Sequence, residues 1–111
     1  MMSMASRPAL FQPTQTERDL LLALAARYIW WKPSVEAVRY PQRIAAQVMN
    51  IGDYEDVQRL ACALPSDRLR DVLRAAEAGQ FSERSWHYWH YRLGLAKAPK
   101  DVPPTPVRIF E

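Results

Sequence analysis

The sequence predicts an all-α protein, a small bundle of about five short helices followed by a Pro-rich extended tail. Apolar residues recur at helical spacing, and a capping residue, a proline or a glycine bounds each stripe. No segment sustains the alternation of apolar and polar residues that marks a half-buried strand. We therefore predict no β-sheet. One stripe, at positions i, i+3, i+4 and i+7, consists of Val57, Leu60, Ala61 and Leu64.

The first two helices are delimited by a capping residue, two prolines and a glycine. We expect Thr16 to cap the first helix and Pro33 to stop it at or just before Lys32. A connector or short helical turn then leads to Pro41, which suits the first turn of a second helix because no hydrogen bond needs its missing N–H. Gly52 is the expected end of that helix.

The third and fourth helices are separated by a proline and together suggest a helical hairpin. Asp53 is the expected N-cap of the third helix, and Pro65 breaks it. Either Ser66 or Asp67 then caps the fourth helix, which we expect to end at Gly79.

The fifth helix is rich in aromatic residues and carries its own start and stop signals. Ser82 is the expected N-cap, and Phe81 and Trp86 are placed to form a hydrophobic staple around it. Gly94 is the expected C-terminal stop. The residues predicted to form a buried seam at i, i+3 and i+7 are Trp86, Trp89 and Leu93.

The chain is predicted to fold as one helical domain of residues 14–95, between a flexible arm of residues 1–13 and an extended tail of residues 96–111. Four prolines in the tail exclude a helix and favour polyproline II conformations. Two interpretations stay open, a solvated tail and a linear segment that docks on a partner by strand addition. The second is suggested by three apolar residues near the end of the tail, Val107, Ile109 and Phe110.

Charge and cysteine content limit the classes of function. The net charge of +3 comes from 15 basic and 12 acidic residues that are interleaved, unlike the concentrated basic stripe of a dedicated nucleic-acid binder. Cys62 is the only cysteine, so no intramolecular disulfide can form, and we interpret it as a small core residue. No export signal or membrane span is recognisable, and we expect a cytoplasmic protein with no membrane partner.

No catalytic signature is present, and we expect a protein without catalytic residues, cofactor or metal. The three glycines all fall at helix ends, so no glycine-rich phosphate loop exists, and no nucleophile elbow is seen. His87 and His90 are spaced to share an ion, with Glu83 one turn earlier, but a zinc site needs at least a third protein ligand. The alternative is that both histidines are surface or rim residues.

Adjacent tryptophans and one face of the aromatic helix are the candidate contacts for a protein partner. Trp30 and Trp31 are neighbours and cannot both face one core, so at least one should be partly exposed. The alternative is that one fills the core while the other covers a loop. The full set of candidate partner-binding residues is Trp30, Trp31, Lys32, His87, Tyr88, His90, Tyr91, Val107, Ile109 and Phe110.

A different class of function, a DNA-binding transcriptional regulator, is the alternative prediction. Residues 54–78 are predicted to form two helices joined by a short turn, which could be a helix-turn-helix. The candidate DNA-binding residues are Arg68, Arg70 and Arg74 on the second helix of this pair. Asp67, Asp71 and Glu77 are in the same segment and weaken its attraction for phosphate.

The order of motifs also resembles a small bacterial family of unknown function. An aromatic patch at 29–31 precedes V-M-N-I-G-D-Y-E-D-V at 48–57, then R-L-R-D-V-L at 68–73 and F-S-E-R-S at 81–85, which leads to Trp89. Members of that family are encoded beside AbiEii-type nucleotidyltransferase toxins and are interpreted as antitoxin-like partners. This chain has Lys32 where the family usually has an acid.

The resemblance implies a non-enzymatic interaction module of a toxin–antitoxin pair. Its partner would be a nucleotidyltransferase-like toxin encoded by the neighbouring gene. Nucleic acid as a partner and a homodimer stay open as alternatives.

Overall fold

A computed structural model describes residues 15–107 and confirms the all-α fold class. These residues form six α-helices and one 3₁₀ turn, and none of them lies in a strand. The short second helix occupies the segment expected to be a connector or helical turn. The bounds are α1 Gln15–Tyr28, α2 Ser34–Ala37, α3 Pro41–Ile51, α4 Tyr54–Ala63, α5 Ser66–Arg74, α6 Glu83–Arg92 and the 3₁₀ turn Pro99–Asp101.

Helix α3 is the centre of the bundle. It packs against α1, α4, α5 and α6, while α1 also packs against α2 and α4. A helix contacted from several sides must be apolar around most of its circumference. In α3 the small side chains Ala45 and Ala46 are buried beside the larger ones and allow close approach. Its other buried residues are Ile44, Val48 and Met49.

The C-terminal end of α3 is completed by side chains of α6. The indole Nε1 of Trp89 donates to the Met49 carbonyl at 2.8 Å, and Ser85 Oγ donates to the Asn50 carbonyl at 3.0 Å. The Ser82 N–H donates to the Asn50 side-chain oxygen at 3.0 Å. Carbonyls in the last turn of a helix lack partners within that helix, so these bonds satisfy them while fixing α6 on α3.

The start and stop signals of α6 are confirmed in detail. Ser82 caps the helix by accepting from the Ser85 N–H at 3.1 Å, and the ring centroids of Phe81 and Trp86 lie 5.6 Å apart as a staple. Gly94 has a φ of +74°. Its N–H bonds the Tyr91 carbonyl, and the next N–H, of Leu95, bonds the His90 carbonyl. These two bonds form a Schellman motif. The predicted seam of Trp86, Trp89 and Leu93 is buried.

Several predicted helix ends are wrong by up to about one turn. Thr16 lies inside α1 and not at its cap, and α1 ends at Tyr28, before Lys32. The early end follows from Pro33, because a proline in a helix clashes with the carbonyl four residues before it. That carbonyl, of Ile29, instead accepts from the Lys32 N–H at 3.2 Å.

The fourth predicted helix, α5, also starts and ends differently from the prediction. Pro65 occupies the N-cap position without a side-chain bond, and Ser66 is the first helical residue. Asp67 pairs with Arg70 at 2.8 Å and does not cap. The helix ends at Arg74, and Gly79 lies beyond it in a turn, with a φ of +84°. In contrast, the predicted cap of α4 is confirmed, since Asp53 accepts from the Asp56 N–H at 2.9 Å.

The core assignment of Cys62 is wrong, because its side chain is exposed. Helix α4 buries Leu60 completely and packs with Val57 and Ala61 half-buried beside it. Cys62 is two residues after Leu60, which places it about 200° around the helix, on the opposite face.

The beginning of the predicted tail packs on the helical domain. Ala96 is buried, and Val102 packs against the core. The prediction of no helical conformation is wrong for Pro99–Asp101, which forms a 3₁₀ turn. The Asp101 carboxylate stabilises that turn by accepting from the N–H groups of Lys97 and Ala98. Val107 is exposed, and Ile109 and Phe110 lie outside the described residues, as does the predicted arm of residues 1–13.

Within residues 15–107, no helix has both the length and the apolar character needed to cross a membrane.

Candidate partner-binding surface

A β-turn between α1 and α2 places the two adjacent tryptophans at its tip. The Ile29 N–H still bonds the Ala25 carbonyl of α1 at 2.8 Å, and the Lys32 N–H closes the turn on the Ile29 carbonyl. Trp30 and Trp31 are therefore the two central residues of the turn. Ile29 is buried, so the turn is anchored in the core while its tip projects outward.

Both tryptophans are exposed, Trp30 by 76% and Trp31 by 54%. Their rings meet edge to face, with centroids 5.6 Å apart and planes at 88°. The prediction that at least one would be partly exposed is confirmed. The alternative, with one indole in the core, is wrong because the tip of the turn directs both side chains away from it.

Val35 of α2 and Tyr40, which follows α2, are exposed as well, and we call these four residues the tryptophan surface: Trp30, Trp31, Val35 and Tyr40. Lys32 Nζ lies 5.7 Å from the centroid of the Tyr40 ring, and the Arg43 guanidinium lies 4.9 Å from it. These are cation–π distances. A cleft of about 20 Å³ beneath Tyr40 holds no ligand larger than a water molecule. The tryptophan surface therefore suits a broad contact better than a small ligand.

Arg43 is fixed beside the tryptophan surface by a carboxylate. Its Nε and Nη2 donate to the two oxygens of Glu77, each at 3.2 Å. These hydrogen bonds and the negative charge of Glu77 raise the pKa of Arg43. Lys32, in contrast, forms no ion pair with any residue between 15 and 107, and its charge is the less compensated of the two.

A buried network holds the base of the tryptophan turn. The Tyr28 hydroxyl donates to Asp56 Oδ2 at 2.7 Å and accepts from the Asp53 N–H at 3.1 Å. Arg27 bonds the carboxylates of both aspartates, and Arg59 pairs with Asp56, which is only 2% exposed. Burial, and then the bond to Asp56, raise the pKa of Tyr28. The end of α1 is thereby tied to the first turn of α4.

The second candidate surface, on α6, is smaller than the sequence predicts. Tyr88 and Tyr91 are exposed and His87 is half-buried, but His90 is only 5% exposed. The assignment of His90 to a partner surface is therefore wrong. One turn separates it from Trp86, and the two rings lie 4.4 Å apart on the side of α6 that the segment after the helix covers.

Tyr88 is held in place by Arg92, which donates to its hydroxyl at 3.1 Å and to Gln58 of α4 at 3.0 Å. The same guanidinium lies 4.9 Å from the ring centroid of Trp89. The exposed face of α6 contributes fewer large apolar side chains than the tryptophan surface.

Each of the two histidines forms a hydrogen bond from one ring nitrogen to the backbone of its own helix. Nδ1 of His87 donates to the Glu83 carbonyl at 2.9 Å, and Nδ1 of His90 donates to the Trp86 carbonyl at 2.7 Å. Among residues 15–107, no three His, Cys, Asp or Glu side chains are grouped so that they can hold a metal ion.

The arginines predicted to bind DNA each pair with an acidic side chain of the protein. Arg68 pairs with Glu17 of α1 at 2.9 Å, and Arg74 pairs with Asp71 at 3.0 Å. Arg70 donates to the Leu93 carbonyl at 2.9 Å and also pairs with Asp67. In addition, α4 and α5 each pack on α3. DNA binding stays a prediction for which this geometry supplies no support.

Comparisons with protein-family models, curated proteins and solved structures find no match to this chain. The antitoxin-like resemblance, which covers about residues 28–95, therefore stays a prediction.

Proposed function

We propose that this chain is a non-enzymatic protein-binding module whose main contact is the tryptophan surface. The observation that carries the proposal is the exposure of two adjacent tryptophans at the tip of an anchored turn. Exposed apolar patches of this kind mark interaction sites, and tryptophan is enriched among the residues that dominate binding energy.

The geometry of the turn makes the tryptophans efficient anchors. A fully covered aromatic side chain buries roughly 150–250 Å². Most of Trp30 and about half of Trp31 are still open to water, so a partner can cover most of that area. Ile29 in the core and the Tyr28–Asp56 bond beneath it hold the backbone in place before a partner arrives. A rigid aromatic anchor loses little conformational entropy on binding, so more of its burial contributes to affinity.

A positive charge beside the tryptophan surface favours a partner with an acidic group. Lys32 is available to a carboxylate, whereas Arg43 is already compensated by Glu77. We expect a partner with an apolar socket for the indoles and an acidic group next to it. The resemblance of residues 28–95 suggests that this partner is a nucleotidyltransferase-like toxin encoded by the adjacent gene.

Co-expression with the product of the adjacent gene tests the proposal. The wild-type chain should co-purify with that product, and the double variant Trp30→Ala/Trp31→Ala should not. Tyr54→Ala is a matched control, since Tyr54 is an exposed aromatic residue at the start of α4, outside the tryptophan surface. It should co-purify like the wild type. Equal recovery of the double variant and the wild type would exclude the tryptophan surface.

A short deletion is needed to test whether the tail contributes to partner binding. Removing residues 96–111 would also remove Ala96, Val102 and the bond from Trp86 to the Pro103 carbonyl, and would damage the fold. Deletion of residues 108–111 alone separates the two effects. If only this deletion abolishes co-purification, the tail and not the tryptophan surface is the contact. A wild-type chain that elutes as a dimer, with a monomeric double variant, would identify a second copy as the partner.

A further inference from the structure

A groove of about 270 Å³ lies between α5, α6 and the segment that follows α6. Its volume is close to the lower end of the range for small-molecule sites, about 300 Å³. Leu73, Leu95, Pro103 and Pro106 supply apolar walls, and Trp86 adds an aromatic ring. The groove shares no residue with the tryptophan surface, so partner binding does not account for it.

His90 lines this groove and brings a buried polar atom to it. Its Nδ1–H donates to the Trp86 carbonyl, so Nε2 is the acceptor of the neutral ring. No residue between 15 and 107 forms a hydrogen bond with Nε2. Because Nδ1 faces the backbone of α6, Nε2 is at the far side of a ring that lines the groove. Buried polar atoms are almost always partnered, so Nε2 offers an acceptor to a water molecule or to the donor group of a bound solute.

Arg74 brings a positive charge to the same groove. Nη1 pairs with Asp71 at 3.0 Å, and the other guanidinium nitrogens form no bond with a residue in the described range. The side chain is exposed, so a solute has access to it. A guanidinium presents two parallel N–H groups to a carboxylate, a geometry that water matches poorly.

We propose that this groove binds a small planar carboxylic acid that also carries a hydroxyl or N–H donor. The carboxylate pairs with Arg74, the donor bonds Nε2 of His90, and the planar body packs against Trp86 and the apolar walls. Each of the three chemical features of the ligand has one counterpart in the groove.

Titration of the ¹⁵N-labelled full chain with 4-hydroxybenzoate tests the site by NMR. Benzoate, which lacks the donor, and benzyl alcohol, which lacks the carboxylate, are the comparison probes. The Trp86 indole and His90 resonances should shift saturably with 4-hydroxybenzoate. Its Kd should be at least about tenfold lower than that of either comparison probe, as expected for one lost polar bond. Absence of a saturable shift, or equal affinity for benzyl alcohol, would overturn the proposal.

Two variants assign the polar contacts. Arg74→Gln changes an exposed residue, so the fold should persist, and it should weaken 4-hydroxybenzoate about tenfold while leaving benzyl alcohol unchanged. Arg84→Gln, at an exposed arginine of α6 outside the groove, is the matched control and should leave both affinities unchanged. His90→Phe should remove the discrimination between 4-hydroxybenzoate and benzoate. If Arg74→Gln binds 4-hydroxybenzoate like the wild type, the site is not the one proposed.

Discussion

The Tyr28 hydroxyl donates a 2.7 Å hydrogen bond to Oδ2 of Asp56, and this bond joins the last residue of α1 to the first turn of α4. The two residues are far apart in the sequence, and both are buried. Arg27 and Arg59 supply the positive charge that a buried carboxylate needs. The bond therefore stabilises both the bundle and the start of the tryptophan turn.

We expect Tyr28→Phe to lower the free energy of unfolding by about 1–3 kcal/mol, because it deprives a buried carboxylate of one donor. Urea unfolding followed by circular dichroism measures the change. Tyr54→Phe is the control. That hydroxyl is on an exposed ring, so its loss should change the free energy of unfolding by less than about 0.5 kcal/mol. Similar values for the two variants would mean that the Tyr28–Asp56 bond contributes nothing.

The raised pKa of Tyr28 predicts a loss of stability at alkaline pH. The folded protein holds the phenol proton more tightly than the unfolded chain, in which the pKa is near 10.0. The stabilisation is thus fully present below pH 10 and is lost as the pH rises through the folded-state value. The difference in unfolding free energy between wild type and Tyr28→Phe should shrink above about pH 10. A difference that stays constant between pH 8 and 11 would contradict this linkage.

Substitutions at Gly94 and at Gly52 should both destabilise the fold, for different reasons. At Gly94 the backbone is left-handed and open space surrounds the added Cβ, so Gly94→Ala should cost about 1–2 kcal/mol, and Gly94→Asn less. At Gly52 φ is ordinary, but a Cβ would overlap the Val48 carbonyl oxygen. Gly52→Asn should therefore be no milder than Gly52→Ala. Thermal unfolding of the four variants checks this pattern, and rescue by asparagine at both sites would refute it.

Trp86→Phe should release the segment after α6. The indole Nε1 donates to the Pro103 carbonyl at 2.7 Å, and phenylalanine keeps the staple with Phe81 but not this bond. Amide hydrogen exchange near Val102 should accelerate relative to the wild type, with little change in α3. Tyr91→Phe, on the exposed face of α6, provides the comparison and should leave exchange unaltered. Unchanged exchange near Val102 in Trp86→Phe would show that packing alone holds the segment.

Features set by neighbouring residues in the chain were predictable from the sequence. The cap at Ser82, the staple of Phe81 and Trp86 and the stop at Gly94 depend on positions within one or two turns of each other, so their spacing specifies them. Asp53 as the cap of α4 belongs to the same class.

Features set by distant parts of the chain were not predictable in this way. The sequence accounts for Asp56 as a first-turn acid, but its burial depends on Tyr28 of another helix. A tyrosine that ends one helix and an aspartate that begins another form a recognisable pair only once α1 and α4 are packed together. His90 is buried because the segment carrying Pro103 returns to α6, and helical spacing alone does not contain that information.

The bonds from Trp89 and Ser85 to the last carbonyls of α3 have a consequence for the order of folding during synthesis. In a nascent chain that has reached only α5 these carbonyls have only water as a partner, so we expect the central helix to fray at its end. We expect the last turn of α3 to become stable only after α6 has left the ribosome. Until then α1, α4 and α5 can already pack on α3, and only the part of α3 that α6 covers stays open to water.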